Sequence, residues 1–183
     1  IVLLVVTADQ LTKNLWVRSF PEGHSFFEFG FLRLVHVRNT GAAFGILPGQ
    51  PTALKIVAII GILALVAIIL LARRRFPYLI SRGTTVGASL LLGGATGNLI
   101  DRLRFGQVTD FIDVGMWPAF NVADSAIVIG AIITALSLLR LTRTVQGRAG
   151  GGSETPPLGD DASGNPPPVG GEEGQSPGAA GVG

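Results

Sequence analysis

The chain has 183 residues, 48% of them hydrophobic and only 14% charged, where a soluble domain carries about a quarter charged residues. That balance predicts an integral membrane protein. The absence of Cys excludes disulfides, thiolate catalysis and Cys-based metal sites, and two histidines (His24 and His36) without an HExxH exclude a classical zinc protease.

In chain order, the opening "IVLLVVTADQLTK" begins without Met and reads as a first membrane helix over residues 1–17 whose initial turns are missing. A signal peptide fits less well, because neither a basic n-region nor an A-x-A site is present. In "HSFFEFGFLRLVHVRNTGAAFGIL", aromatics and Val alternate with polar residues from Phe27 to Val37, the period-two pattern of short strands. A small external sheet lying on the bundle and a plain external hairpin are equally compatible with it. The uncharged run "IVAIIGILALVAIILLA" (56–72) reaches bilayer length when residues 53–55 are added. Residues 83–103 are less apolar but place Gly83 and Gly87, then Gly93 and Gly97, at GxxxG spacing, the signature of close helix approach in lipid. A fourth span covers residues 122–141. From residue 144 the chain turns Gly- and Pro-rich with a net charge of −4, against +6 for residues 1–143. Such a segment cannot bury enough apolar surface to offset its ordering, so 144–183 is expected to be a disordered cytoplasmic tail on a 1–143 membrane domain.

Arginines set the expected orientation. Arg73, Arg74, Arg75 and Arg82 fill the short link after the second span, and Arg140, Arg143 and Arg148 follow the fourth. Positive residues in short loops stay cytoplasmic, so both termini are expected inside, with 18–52 and 104–120 outside.

That topology draws the embedded polar residues toward one face. Asn98, Asp101 and Arg102 share a helix face at the outer end of span three. Asn121 and Asp124 occupy the first turn of span four, and Asp9 and Lys13 the outer half of span one. Each pair has a structural reading: an N-cap with an acidic third residue for Asn121 and Asp124, an interfacial ion pair for Asp101 and Arg102, mutual pairing for Asp9 and Lys13. As a cluster they point to function, since intramembrane ionisable groups usually mark working sites. The loop "GQVTDFIDVGMWPAF" adds Asp110 in apolar company, with Asp113 a solvent-facing acid. Burial raises a carboxyl pKa, and two carboxyls sharing a proton can activate water while one protonates the leaving group. Whether Asp110 and Asp124 meet is open at this level.

The blocks "ADQLTK" (8–13), "RNTGAAFG" (38–45), "GGATGNLIDR" (93–102), "VTDF" (108–111) and "FNVADS" (120–125) resemble, in order, the signature blocks of lipoprotein signal peptidase, or signal peptidase II. The resemblance implies an all-α membrane protein, a four-transmembrane-helix bundle with a small extracytoplasmic β-sheet between helices 1 and 2 (about 24–47). It implies a bacterial inner-membrane aspartyl endopeptidase that cleaves diacylglyceryl-modified prolipoprotein just before the lipidated Cys. Carried over block by block, Asp110 and Asp124 are the catalytic pair, while Asp9, Lys13, Asn39, Gly41, Asn98, Asp101, Arg102 and Asn121 support the site or contact substrate. Arg102 is expected to hold Asp101 ionised as an anchor. An amphipathic external segment gripping lipid and peptide is also implied. The expected partners are the lipidated substrate and membrane lipid, without metal, cofactor or nucleic acid, and the expected state is monomeric. Three rivals are weighed: a Ser–Lys peptidase built on Ser125 and Lys13, with Lys55 the other lysine available; a small proton-coupled transporter, which would place its carboxylates near the midplane within an internal repeat; and a purely structural four-helix scaffold, which would leave the NTGAAFG block unexplained.

Overall fold

A computed structural model describes residues 1–40 and 50–150; Gly41, the rest of the 38–45 block and of the external 24–47 segment beyond residue 40, and the tail beyond 150 lie outside the described residues. Among these residues the chain forms four α-helices and a three-stranded antiparallel sheet. Helix α1 spans Val2–Leu11 and continues through a π-helical turn, Thr12–Trp16, and a 3-10 turn, Val17–Ser19. Strands β1 (Ser25–Phe29) and β2 (Leu32–Asn39) form a hairpin in which Gly30, at φ +60°, occupies a turn that side-chain-bearing residues rarely adopt.

Helix α2 (Pro51–Arg75) and the Val122–Leu141 part of α4 (Val122–Gly150) are long and apolar enough to cross a membrane. As backbone, α4 runs past the expected 143/144 boundary. Helix α3 (Arg82–Phe105) starts on a capping box: Ser81 Oγ accepts from Thr84 N at 3.1 Å, and Thr84 Oγ1 accepts from Ser81 N at 2.8 Å. It stops at Gly106, which is left-handed at φ +77°.

One expectation about the sheet is corrected. Its third strand, β3 (Val108–Asp113), comes from the segment between α3 and α4, read from sequence as a loop. It pairs with β2, Val37 opposite Asp110 and Asn39 opposite Val108. Its other edge is met at Ile112 by Phe120, so the intervening segment folds back and delivers Asn121 beneath Asp110.

The glycine spacing of α3 serves close packing. Gly87, Gly93, Gly94 and Gly97 are buried, Gly93 against Val5 of α1 and Gly94 against Ala123 of α4. A Cβ on Gly87 would lie 2.7 Å from the Gly130 carbonyl oxygen and 2.8 Å from Thr134 N, both backbone atoms that cannot swing aside. Gly87→Ala is therefore expected to lower stability by ~1–3 kcal/mol, read as a lower thermal midpoint of the purified protein. An unchanged midpoint would mean that α3 and α4 are not in backbone contact there.

Candidate active site

The C-terminal ends of α1 and α3 and the N-terminal end of α4 converge with β2 and β3, and the polar side chains there form two connected layers. The deeper layer is charged. Lys13, Asp9 and Asp101 are all fully buried, and Lys13 Nζ lies 2.9 Å from Asp9 Oδ2, 3.1 Å from Asp101 Oδ2 and 3.2 Å from Asn98 Oδ1. Asp9 Oδ1 accepts from the backbone N–H of Ala123 at 3.1 Å, tying α1 to the first turn of α4. Asp101 Oδ2 accepts from Thr109 N at 3.1 Å, which ties α3 to β3.

Here a second expectation is corrected. The partners of Asp101 are Lys13 and Arg18, the latter at 3.0 Å, and not its neighbour Arg102. Adjacent helical residues point in different directions. Arg102 instead donates to the Asn98 carbonyl at 3.4 Å and lines the cavity of the second layer.

That second layer holds the two remaining carboxylates in a frame of amides. Asp110 Oδ2 accepts from Asn39 Nδ2 at 2.9 Å and its Oδ1 from Asn121 Nδ2 at 2.7 Å. Asp124 Oδ1 accepts from Asn98 Nδ2 at 2.7 Å. The two ends of the frame are joined, because Asn121 Nδ2 also donates to Asn98 Oδ1 at 3.2 Å. The first turn of α4 is a capping pair as the sequence suggests: Asp124 N donates to Asn121 Oδ1 at 2.9 Å and Asn121 N to Asp124 Oδ2 at 3.2 Å. Asp110 and Asp124 thus line one cavity of about 340 Å³, shared with Asn39, Asn98, Arg102 and, along its apolar wall, Trp117, Phe120 and Val128.

Burial pushes the Asp110 carboxyl up to about 6; the hydrogen bonds from Asn39 and Asn121 pull it down, and the charge of Asp124 pushes it further up. Amides suit such a frame, since they fix carboxylate oxygens by donation without neutralising them as a cation would. The arrangement can hold a water or a peptide carbonyl between two acids, one of them with its carboxyl raised by burial to about 6.

Of the residues singled out from sequence, the described ones, Asp9, Lys13, Asn39, Asn98, Asp101, Arg102, Asp110, Asn121 and Asp124, are brought together here. Asp113 stands apart, paired with Arg33 at the sheet's rim. Three participants were not foreseen. Gln10 bridges Asp9 and Asp101 through Nε2 at 3.2 and 3.1 Å, while Arg18 holds Thr109 Oγ1 through Nη2 at 2.9 Å and Nε at 3.2 Å. The signal for Gln10 was its place beside Asp9; for Arg18 and Thr109 the sequence offered none. The Ser–Lys alternative fails on geometry. Ser125 Oγ donates to the Asn121 carbonyl at 3.0 Å, and Lys13 is committed to two carboxylates.

Helices of membrane length around a partly apolar cavity that gathers acids define the class as a membrane protein with a polar working site. Two solved bacterial membrane enzymes share its fold, one at TM-score 0.66 and 39% identity over 77% of this chain and 86% of its own, the other at 0.62 and 38% over 75% and 89%. The family model for signal peptidase (SPase) II matches residues 1–140. A lipoprotein signal peptidase of Moorella thermoacetica is 46% identical over 147 residues, 80% of this chain and 94% of its own. One of Syntrophotalea carbinolica is 45% identical over 150 residues, 76% and 89%. The chain belongs to the signal peptidase II family and is a protease; the transporter reading falls with that.

Proposed function

We propose that this protein is an aspartyl endopeptidase that removes the signal peptide from diacylglyceryl-modified prolipoproteins, cutting just before the lipidated Cys. The observation that carries the aspartyl mechanism is the pair Asp110 and Asp124 facing one cavity and held by the amides of Asn39, Asn98 and Asn121.

In this reading the two carboxylates share one proton. The ionised one takes a proton from a water as its oxygen attacks the scissile carbonyl; the protonated one hydrogen-bonds the carbonyl oxygen and its proton passes on as the tetrahedral species forms. Collapse returns a proton to the leaving amine, so no covalent intermediate arises. Arg102 faces the same space, where its guanidinium suits a peptide carbonyl. The apolar wall of Trp117, Phe120, Ile127 and Val128 suits a lipid-bearing residue.

The same reading makes residues 1–143 a four-span bundle, with residues 2–19, α2, α3 and α4 as the spans. Arg73, Arg74 and Arg75 at the end of α2 and Arg82 at the start of α3 lie away from the acids, which supports cytoplasmic termini and an extracytoplasmic site. Phe29 and Phe31, 75% and 79% exposed at the hairpin tip, suit the headgroup layer. A monomer suffices, because one chain supplies every group named.

The testing experiment compares diacylglyceryl-modified and unmodified prolipoprotein as substrates of the purified protein, with products identified by mass spectrometry. Cleavage before the modified Cys, and little of the unmodified chain, is expected. Equal cleavage of both would remove the lipid from the recognition, and no cleavage of either would remove the proposed substrate.

Arg18 gives a subtler prediction. Its guanidinium joins Asp101 to Thr109 on the face of β3 opposite Asp110 and stacks 4.0 Å from the Phe105 ring centroid. Asp101 keeps Lys13, Gln10 and Thr109 N without it. Arg18→Met is therefore expected to leave the fold intact and lower kcat on the order of tenfold by misplacing Asp110, with KM little changed. Thr109→Val in that background should cost little more. Additive losses would show that Arg18 does not act through Thr109.

A further inference from the structure

Toward the end of the bundle away from the acids, residues of α2, α3 and α4 line a cleft of about 380 Å³. Leu65, Ile68 and Ile69 of α2 form one wall, and Ala88, Leu92 and Leu138 are among the facing residues. The size is that of a small-molecule site, usually ~300–1,000 Å³. Along α3 the cleft ends at Leu92, with Thr84 near its mouth, about 20 Å from Asn98. It shares no lining residue with the peptidase cavity.

The mouth is basic. Arg73 lines it, and Arg74, Arg75 and Arg82 are exposed close by in sequence. None of these four makes an ion pair among the described residues, and no Asp or Glu occurs anywhere between Pro51 and Ile100 or between Ser125 and Ser153. An apolar slot closed at the lipid–water boundary by an unpaired guanidinium matches an acyl chain joined to an anionic headgroup.

We propose that this cleft is a binding site for one anionic phospholipid, with an acyl chain between α2 and α3 and the headgroup phosphate on Arg73. A signal-peptide helix is the competing occupant, and charge separates the two. The segment preceding a signal peptide's apolar run is positively charged, so it would be repelled where a phosphate is attracted. The proposal is independent of the peptidase mechanism.

Native mass spectrometry of the detergent-purified full chain, incubated with phosphatidylglycerol or with phosphatidylcholine of the same acyl composition, tests it. Wild type is expected to retain one phosphatidylglycerol under activation that strips phosphatidylcholine. Arg73→Gln and the cleft-filling Ala88→Leu should each lower that retention at least fivefold. Arg73→Lys should keep most of it, and Arg74→Gln, which does not line the cleft, should behave as wild type. Cleavage of lipidated prolipoprotein by each variant reports that the chain is folded, since none of these residues belongs to the peptidase site. Equal retention of the two lipids, or equal losses in Arg73→Gln and Arg74→Gln, would overturn the proposal. So would displacement of phosphatidylglycerol by a synthetic signal peptide, which would assign the cleft to the substrate.

Discussion

Asp110→Asn and Asp124→Asn are each expected to lower kcat for prolipoprotein cleavage by ~10³-fold or more while the protein stays folded. The loss is large because the two acids divide one task, so either substitution removes both water activation and proton return. For the same reason the double variant should be hardly worse than either single one. Asp113→Asn is the control. It lies three residues from Asp110 on the same strand, but its carboxylate pairs with Arg33 outside the cavity, so near-normal turnover is expected. Substantial activity in Asp110→Asn would remove that residue from the pair.

The same substitution carries a stability signature of defined sign. Asp110 is 2% exposed, and burial pushes its carboxyl up to about 6, above the ordinary carboxylate value. Ionisation is thus harder in the folded protein than in the unfolded chain. The folded state binds the extra proton between these two values, so wild-type stability is full below the unfolded pKa and falls as pH rises through about 6. Two units correspond to a loss on the order of 2–3 kcal/mol at most. Asn does not titrate. The difference in thermal midpoint, Asp110→Asn minus wild type, should therefore become more positive from pH 4.5 to pH 7.5. A flat difference would mean that Asp110 is not held in a dehydrated site.

What the sequence made legible, and what it hid, follows from the range of each interaction. Asn121 with Asp124, Asp9 with Lys13 and the glycine pairs of α3 could be read because their spacing of three or four residues is the helix period itself. β3 could not. Its first four residues, Val108–Thr109–Asp110–Phe111, are all buried, so the strand shows no alternation, and its partner β2 lies about seventy residues upstream. Adjacency misled for Asp101 and Arg102, which look like an ion pair in the sequence but leave the helix in different directions. Arg18 was hidden by a change of helix type. The π-helical turn over Thr12–Trp16 takes up an extra residue, which brings a side chain five positions after Lys13 round to the Asp101 face. An unbroken α-helix would have sent Arg18 elsewhere.

Lys13→Met should be among the most destabilising single changes in the protein. Lys13 is the counter-charge that Asp9 and Asp101 share: all three side chains are fully buried, and its ammonium reaches both carboxylates and Asn98 within 3.2 Å. Met fills much of the same volume, so the loss is one of charge and not of packing. It would leave two dehydrated carboxylates facing each other, with Arg18 reaching only Asp101. Breaking a buried pair by removing one partner costs ~3–5 kcal/mol, equivalent to a fall of ~10 °C or more in thermal midpoint for a chain of this size. Lys13→Arg should not rescue, because the site has no room for the larger planar group. Asp9→Asn added to Lys13→Met should recover a large part of the loss, since it removes one of the two stranded charges while keeping an amide oxygen for the Ala123 N–H. That recovery is the diagnostic outcome. If Lys13→Met instead kept its thermal midpoint but lost cleavage, Lys13 would belong to the chemistry of the cavity rather than to the charged frame that joins α1, α3 and α4 beneath it.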